Sequence, residues 1–169
     1  MDGPVQAADR PRHLAFLPRF LFDTEGSKSL YVVRLWLLAL LPSLMLSGIV
    51  SLLVPDAEPP ALVTEGSIPL LLIIVVAPLI ETLIMAAILL GLRRIVGPTP
   101  AVLASALLWA AAHSLSAPVW GLIVWWPFLV FSAAFLAWRD RSLLTPIGIV
   151  TMAHAMQNAT GILLDRLIN

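Results

Sequence analysis

Long apolar runs separated by short polar or proline-containing connections repeat along this chain. The runs are hydrophobic on every side rather than along one stripe. That pattern predicts helices enclosed by protein or lipid, not helices with one wet face. Five are expected, at about Leu30–Val54, Ile68–Leu90, Ala101–Ser116, Val119–Trp138 and Leu143–Leu164. Most reach the roughly 20 residues that cross a bilayer, and the third is the shortest, ending beside Pro118. Pro42, Pro78, Pro127 and Pro146 fall inside these runs. Each predicts a break in the backbone ladder whose freed groups need protein or water. The fold expected is an all-α polytopic transmembrane helical bundle of about five spans. Residues 1–29 form a cytoplasmic or interfacial N-terminal segment before a transmembrane domain over residues 30–169.

Composition sharpens this picture. Hydrophobic residues make up 60% of the 169, against about 45–50% in soluble domains. Charged residues are only 12% and fall mostly between the apolar runs. The chain contains no cysteine, which excludes disulfides, thiolate ligands and a cysteine nucleophile. Formal net charge is zero and no basic block points to nucleic acid. The polar lead before the first run is too long for a cleaved signal peptide. Within it, "HLAFLPRFLF" (13–22) mixes apolar and basic residues as a segment lying on a membrane surface would.

The connections carry an alternating charge pattern. Residues 1–29 include Arg10, Arg12, Arg19 and Lys28, and the next connection holds Asp56, Glu58 and Glu65 with no base. Arg93 and Arg94 follow, then an uncharged turn, then Arg139 and Arg141. By the positive-inside rule the N-terminus is cytoplasmic. The chain is expected to be a multi-pass protein of a plasma membrane, in a bacterium the inner membrane.

Against this background a few polar residues stand out. Glu81, in "VVAPLIETLIMAAIL", is the only acidic residue at mid-depth in a span. His113 lies in the third run, and "TMAHAMQNAT" (151–160) places His154 and Asn158 four residues apart, on one helix face. A buried carboxylate is costly in a membrane and marks function or a required partner. A helical rise of about 1.5 Å per residue brings Glu81, His113 and His154 to similar depths on three helices. One shared wet cavity is the expectation.

These residue types suit hydrolysis. A carboxylate beside a histidine can hold a water and take its proton, while His154 and Asn158 can donate to a developing oxyanion. Glu81, His113 and His154 are also a possible three-ligand zinc site with an open position, though no H-E-x-x-H is present. Trp125 and Trp126 lie too deep for an interfacial belt. Together with Trp109 and Gln157 they are candidates for lining a substrate groove.

Three short matches occur in order. "APLIETLIMAA" (77–87) contains Glu81, "WAAAH" (109–113) ends at His113, and "HAMQN" (154–158) spans His154 to Asn158. With them the chain resembles the CAAX-protease and bacteriocin-processing family, the glutamic intramembrane proteases also called Abi proteins. That family carries two adjacent glutamates followed by an arginine, then Phe-x-x-x-His, then His-x-x-x-Asn or Asp. The resemblance covers about Ala77 to Ala159, roughly half the chain. It implies peptide-bond hydrolysis without a covalent intermediate. Glu81 and His113 would activate water, His154 and Asn158 would hold the oxyanion, and no cofactor would be needed.

Three positions depart from the pattern. Thr82 stands at the second glutamate, Ala86 at the arginine and Trp109 at the phenylalanine. The resemblance therefore implies a divergent, compact member acting on a membrane-associated protein or peptide, such as one with a C-terminal sorting or lipidated tail. Two other classes remain open. A non-enzymatic immunity or assembly factor would tolerate loss of Glu81. An ion or proton transporter would need a polar path to both faces. Oligomeric state is not legible in the sequence.

Overall fold

The computed structural model describes residues 14–58 and 66–168. His13 and the basic positions Arg10 and Arg12 lie outside the described residues, as does Glu65. Among the described residues five long helices make up the bundle: α1 (Lys28–Leu53), α2 (Ser67–Val96), α3 (Pro98–Ser114), α4 (Trp120–Arg139) and α5 (Leu144–Ile168). Four of them, all but α3, are long and apolar enough to cross a membrane. At 17 residues α3 spans about 25 Å, short of a hydrocarbon core about 30 Å thick. The chain is an all-α polytopic membrane protein. Many large apolar side chains on α1 and α2 are exposed, among them Leu41, Met45, Leu52, Ile68 and Leu71. In water such a surface would be unstable, whereas lipid satisfies it.

Local chemistry sets the helix ends. The Ser27 hydroxyl accepts from the Leu30 N–H at 3.4 Å at the start of α1, and the Ser142 hydroxyl accepts from the Thr145 N–H at 3.0 Å before α5. One residue, Gly97, turns α2 into α3. Its φ of 82° suits glycine, and Pro98 follows at the first helical position, where its missing N–H costs nothing.

The centre is α4, which packs against α1, α3 and α5. Phe131, Phe135 and Trp138 on its second half are fully buried among Leu35, Met85, Leu89 and Val102. The short 3-10 turn Arg19–Phe22 closes that end. Leu14, Leu17 and Leu21 bury themselves in the same core, so this stretch packs onto the end of the bundle. The Tyr31 hydroxyl donates to the Leu21 carbonyl at 2.7 Å. Arg141, in the α4–α5 turn, donates to the Thr24 hydroxyl at 3.0 Å and pairs with Glu25. The N-terminal segment and the basic α4–α5 turn therefore occupy one end of the bundle. Between α3 and α4 the buried Ser132 hydroxyl donates to Ser105 at 3.0 Å, a polar clip inside an apolar interface.

Two of the four prolines, Pro42 and Pro78, follow one rule: each leaves a carbonyl without its backbone donor, and another helix supplies a side chain to it. Pro42 has no N–H for the Leu38 carbonyl one turn earlier, and the Trp126 indole Nε1–H donates to that oxygen at 2.8 Å. Pro127 frees the Ile123 carbonyl, but the Ser43 hydroxyl, 3.5 Å from it, makes its shorter bond to the Ala39 carbonyl of its own helix at 2.9 Å. In α2 the backbone widens to a π turn over Leu72–Val76, where the Ala77 N–H reaches back five residues to the Leu72 carbonyl. Pro78 would be the next donor in that register. It has none, and the Asn158 side-chain N–H donates to the Ile73 carbonyl at 3.0 Å. Pro146 sits in the first turn of α5, where no intrahelical donor is required.

This pairing is testable at a position remote from the candidate chemistry. Trp126→Phe should lower stability by about 0.5–2 kcal/mol through the uncapped Leu38 carbonyl. In a Pro42→Ala background, where residue 42 regains its own N–H, the same change should cost clearly less. Thermal unfolding of the four proteins in detergent measures the difference, and equal costs in both backgrounds would refute the pairing.

Candidate functional site

Beyond the core, where α4 runs toward its first residue, the bundle opens into a cavity of about 320 Å³. Glu81, His113, His154, Gln157 and Asn158 all line it. Three helices thus bring the polar residues of the three motifs to one space. Glu81 comes from the middle of α2, one turn past Pro78. His113 comes from the last turn of α3, and His154, Gln157 and Asn158 from the middle of α5.

Within the cavity His154 and Glu81 form an ionisable pair, with Nε2 and Oε2 3.6 Å apart. That is too long for a hydrogen bond. Glu81 Oε2 is buried and has no hydrogen-bond partner among the described residues. The Glu81 side chain keeps 23% of its exposure, whereas His154 keeps 8%. The carboxylate therefore faces the cavity while the imidazole forms its wall. Phe128 and Phe131 flank His154, with ring centroids at 5.5 and 5.2 Å.

His113 is held differently. Its Nδ1 lies 2.8 Å from the Trp109 carbonyl one turn earlier. A carbonyl only accepts, so Nδ1 carries the proton and a neutral ring presents Nε2 as an acceptor. Trp120 stands edge-on to the same ring at 4.7 Å, and Phe128 packs beside it at 5.3 Å. Trp109 stacks on Phe128 with ring planes 7° apart. It thus supports His113 from behind rather than lining the cavity.

Asn158 spends one amide hydrogen on the Ile73 carbonyl, which ties α5 to the π turn just before Glu81. Its second amide hydrogen is not used by that bond. Gln157 contributes an Oε1 that is buried and unpartnered among the described residues. Trp125 and Trp126 do not line the cavity. They meet edge-on at 5.8 Å, and Trp126 is occupied by Leu38 and the Phe16 ring. The tryptophan that does line the cavity is Trp120, which by its sequence position reads as a packing or interfacial anchor. Ser43 also lines it, from a helix that carries no motif; its only sequence signal is the adjacent Pro42.

The zinc arrangement is not formed. Among the described residues no three His, Asp or Glu side chains converge closely enough to hold a metal ion. His113 points its protonated nitrogen at a backbone carbonyl, so only Nε2 remains as a ligand atom. The two departures beside Glu81 also have a structural setting. Thr82 and Ala86 are both buried in the helix packing. Charges at these positions would form an internal i,i+4 pair, and losing both together leaves neither unpaired.

Residues 64–160, more than half of the chain, match the family model described as type II CAAX prenyl endopeptidase Rce1-like. The match takes in Glu81, His113, His154 and Asn158. No curated protein and no solved structure matches the chain.

Proposed function

The chain belongs to the Rce1-like family of type II CAAX prenyl endopeptidases, and from that membership we propose that it is a glutamic intramembrane endopeptidase, a compact and divergent one. It hydrolyses a peptide bond in a membrane-associated protein or peptide, with water as the nucleophile. The carrying observation is Glu81 Oε2, without a hydrogen-bond partner among the described residues and 3.6 Å from His154 Nε2, both side chains lining a cavity of about 320 Å³. Few polar side chains continue from this cavity toward the N-terminal segment, where the core is Phe131, Phe135, Trp138 and Leu89. That disfavours a transport path.

The roles follow from which nitrogen carries a proton. Glu81 takes a proton from water as the water oxygen attacks the scissile carbonyl carbon. His113 Nε2 accepts from the same water and orients it. It cannot donate there while neutral, so the oxyanion falls to His154 and to the free amide hydrogen of Asn158. The Ile73 carbonyl fixes the plane of that amide, so its second hydrogen is aimed before substrate arrives. When the C–N bond breaks, the proton held by Glu81 passes to the leaving amine and the carboxylate is restored. No acyl-enzyme forms. Residues 30–169 form the protease unit, in a bacterial inner membrane with the N-terminus cytoplasmic.

The reading is tested with the protein reconstituted in liposomes and a panel of tail-anchored and lipidated peptides. Cleavage in isotopically heavy water should place one heavy oxygen in the new carboxyl group. Added hydroxylamine should yield no hydroxamate, since there is no acyl-enzyme to trap. Hydroxamate formation, or no cleavage across the panel, would refute the proposal.

A further inference from the structure

We propose that the scissile bond reaches this site from the end of the bundle that carries the acidic α1–α2 connection, and that the substrate is a polypeptide exposed on that face of the membrane. The inference rests on the hydrolase reading above and identifies its substrate class. By the charge pattern that face is the non-cytoplasmic one. The substrate is then an exported protein, or the outward juxtamembrane stretch of an anchored one, and not a tail displayed in the cytoplasm.

The cavity occupies only one half of the bundle. Helices α1, α3 and α5 begin at the N-terminal-segment end, and α2 and α4 finish there. Every residue lining the cavity lies from the middle of its helix toward the other end: Ser43 on α1, Ile73 to Glu81 on α2, His113 on α3, Trp120 to Phe128 on α4, and His154 to Ile162 on α5. The opposite half is closed. Phe131, Phe135, Trp138, Leu35, Met85 and Leu89 are all at most 1% exposed, and the Leu14–Leu21 stretch covers their far side. A polypeptide arriving from that end would have to unpack the most densely buried part of the molecule.

At the same end a second chamber of about 300 Å³ lies between the end of α1 and the start of α4. Ser47, Ser51, Val54, Glu58 and Val119 line it, and it shares Trp120 and Ile123 with the first cavity. The Trp120 ring, edge-on to His113, forms the partition between them. At the next residue α4 approaches α3 so closely that a Cβ on Gly121 would clash with the Ala110 carbonyl and the Ser114 hydroxyl. An extended chain lying through both would place one peptide bond at Glu81 and its neighbouring residues in the outer chamber. The Glu58 carboxylate of that chamber favours a basic substrate residue there.

Because the chain has no cysteine, single thiols report access without background. Three variants are made: Glu58→Cys on the α1–α2 connection, Ser142→Cys on the α4–α5 turn, and Gly161→Cys in the cavity, where an added Cβ meets nothing within 4 Å. Each is expressed in intact bacterial cells and treated with a charged, membrane-impermeant thiol reagent. E58C and G161C should label in intact cells, and S142C only after permeabilisation. Labelling of G161C with the pattern of S142C, or no labelling of it in either state, would overturn the route. Labelling of S142C but not E58C in intact cells would overturn the substrate class. Peptides presented to sealed, oriented vesicles should be cut only on the E58C face, and cutting only on the S142C face would overturn the proposal. Accessible G161C with no peptide cut on either face would uphold the route and remove the hydrolase reading instead.

Discussion

Glu81→Gln should lower the cleavage rate by about 10²–10⁴-fold, the range that a positioned general base contributes. Glutamine keeps the volume and the polarity of the side chain but cannot take a proton from water. The substitution isolates chemistry from folding because, among the described residues, Glu81 Oε2 has no hydrogen-bond partner that glutamine would lose. The His154 imidazole lies 3.6 Å away, beyond hydrogen-bond distance. Thermal stability should therefore be unchanged or slightly higher, since a neutral amide is easier to bury than a carboxylate. The loss should appear in kcat with KM little altered, because the carboxylate acts on water rather than on bound peptide. An E81Q protein that unfolds at the same temperature and cleaves at the wild-type rate would remove Glu81 from the mechanism. It would favour the non-enzymatic reading of this membrane protein.

Gly121→Ala is expected to give the largest structural effect of any single methyl group. The new Cβ would fall inside the contact shell of the Ala110 carbonyl and the Ser114 hydroxyl at the end of α3. The Ser114 hydroxyl can rotate aside, but the Ala110 carbonyl is helix backbone and cannot. Overpacking of this kind costs about 1–3 kcal/mol. It should also push Trp120 and the last turn of α3 apart, and His113 sits in that turn against the Trp120 ring. Activity should fall by more than the loss of folded protein explains. Gly91→Ala is the control. It lies on an exposed face of α2 with nothing within 4 Å of the added carbon, and should be neutral or stabilising. Unfolding midpoints and specific activity, measured together, check both. A G121A protein as stable and active as wild type would show that the α3–α4 approach is looser than described.

The sequence by itself determined the parts of this protein that depend on residue type and order. Apolar runs longer than a bilayer is thick leave few options other than helices in lipid, and all five predicted runs correspond to helices. Three polar motifs on separate runs at matching depth pointed to a shared cavity, because isolated polar groups in a membrane are costly. The family match falls on those same residues. Arrangement across helices was another matter. Sequence could not say that Trp126 caps the carbonyl freed by Pro42, 84 positions earlier in the chain, or that Asn158 caps the π turn before Pro78. A proline announces a missing donor but not which helix replaces it. For the same reason Trp125 and Trp126 looked like groove residues while Trp120 lines the cavity. On a run that is apolar on every side, nothing marks which face meets lipid, core or cavity. That choice is made by how neighbouring helices pack, and it also decides which end of the bundle is closed and which is open.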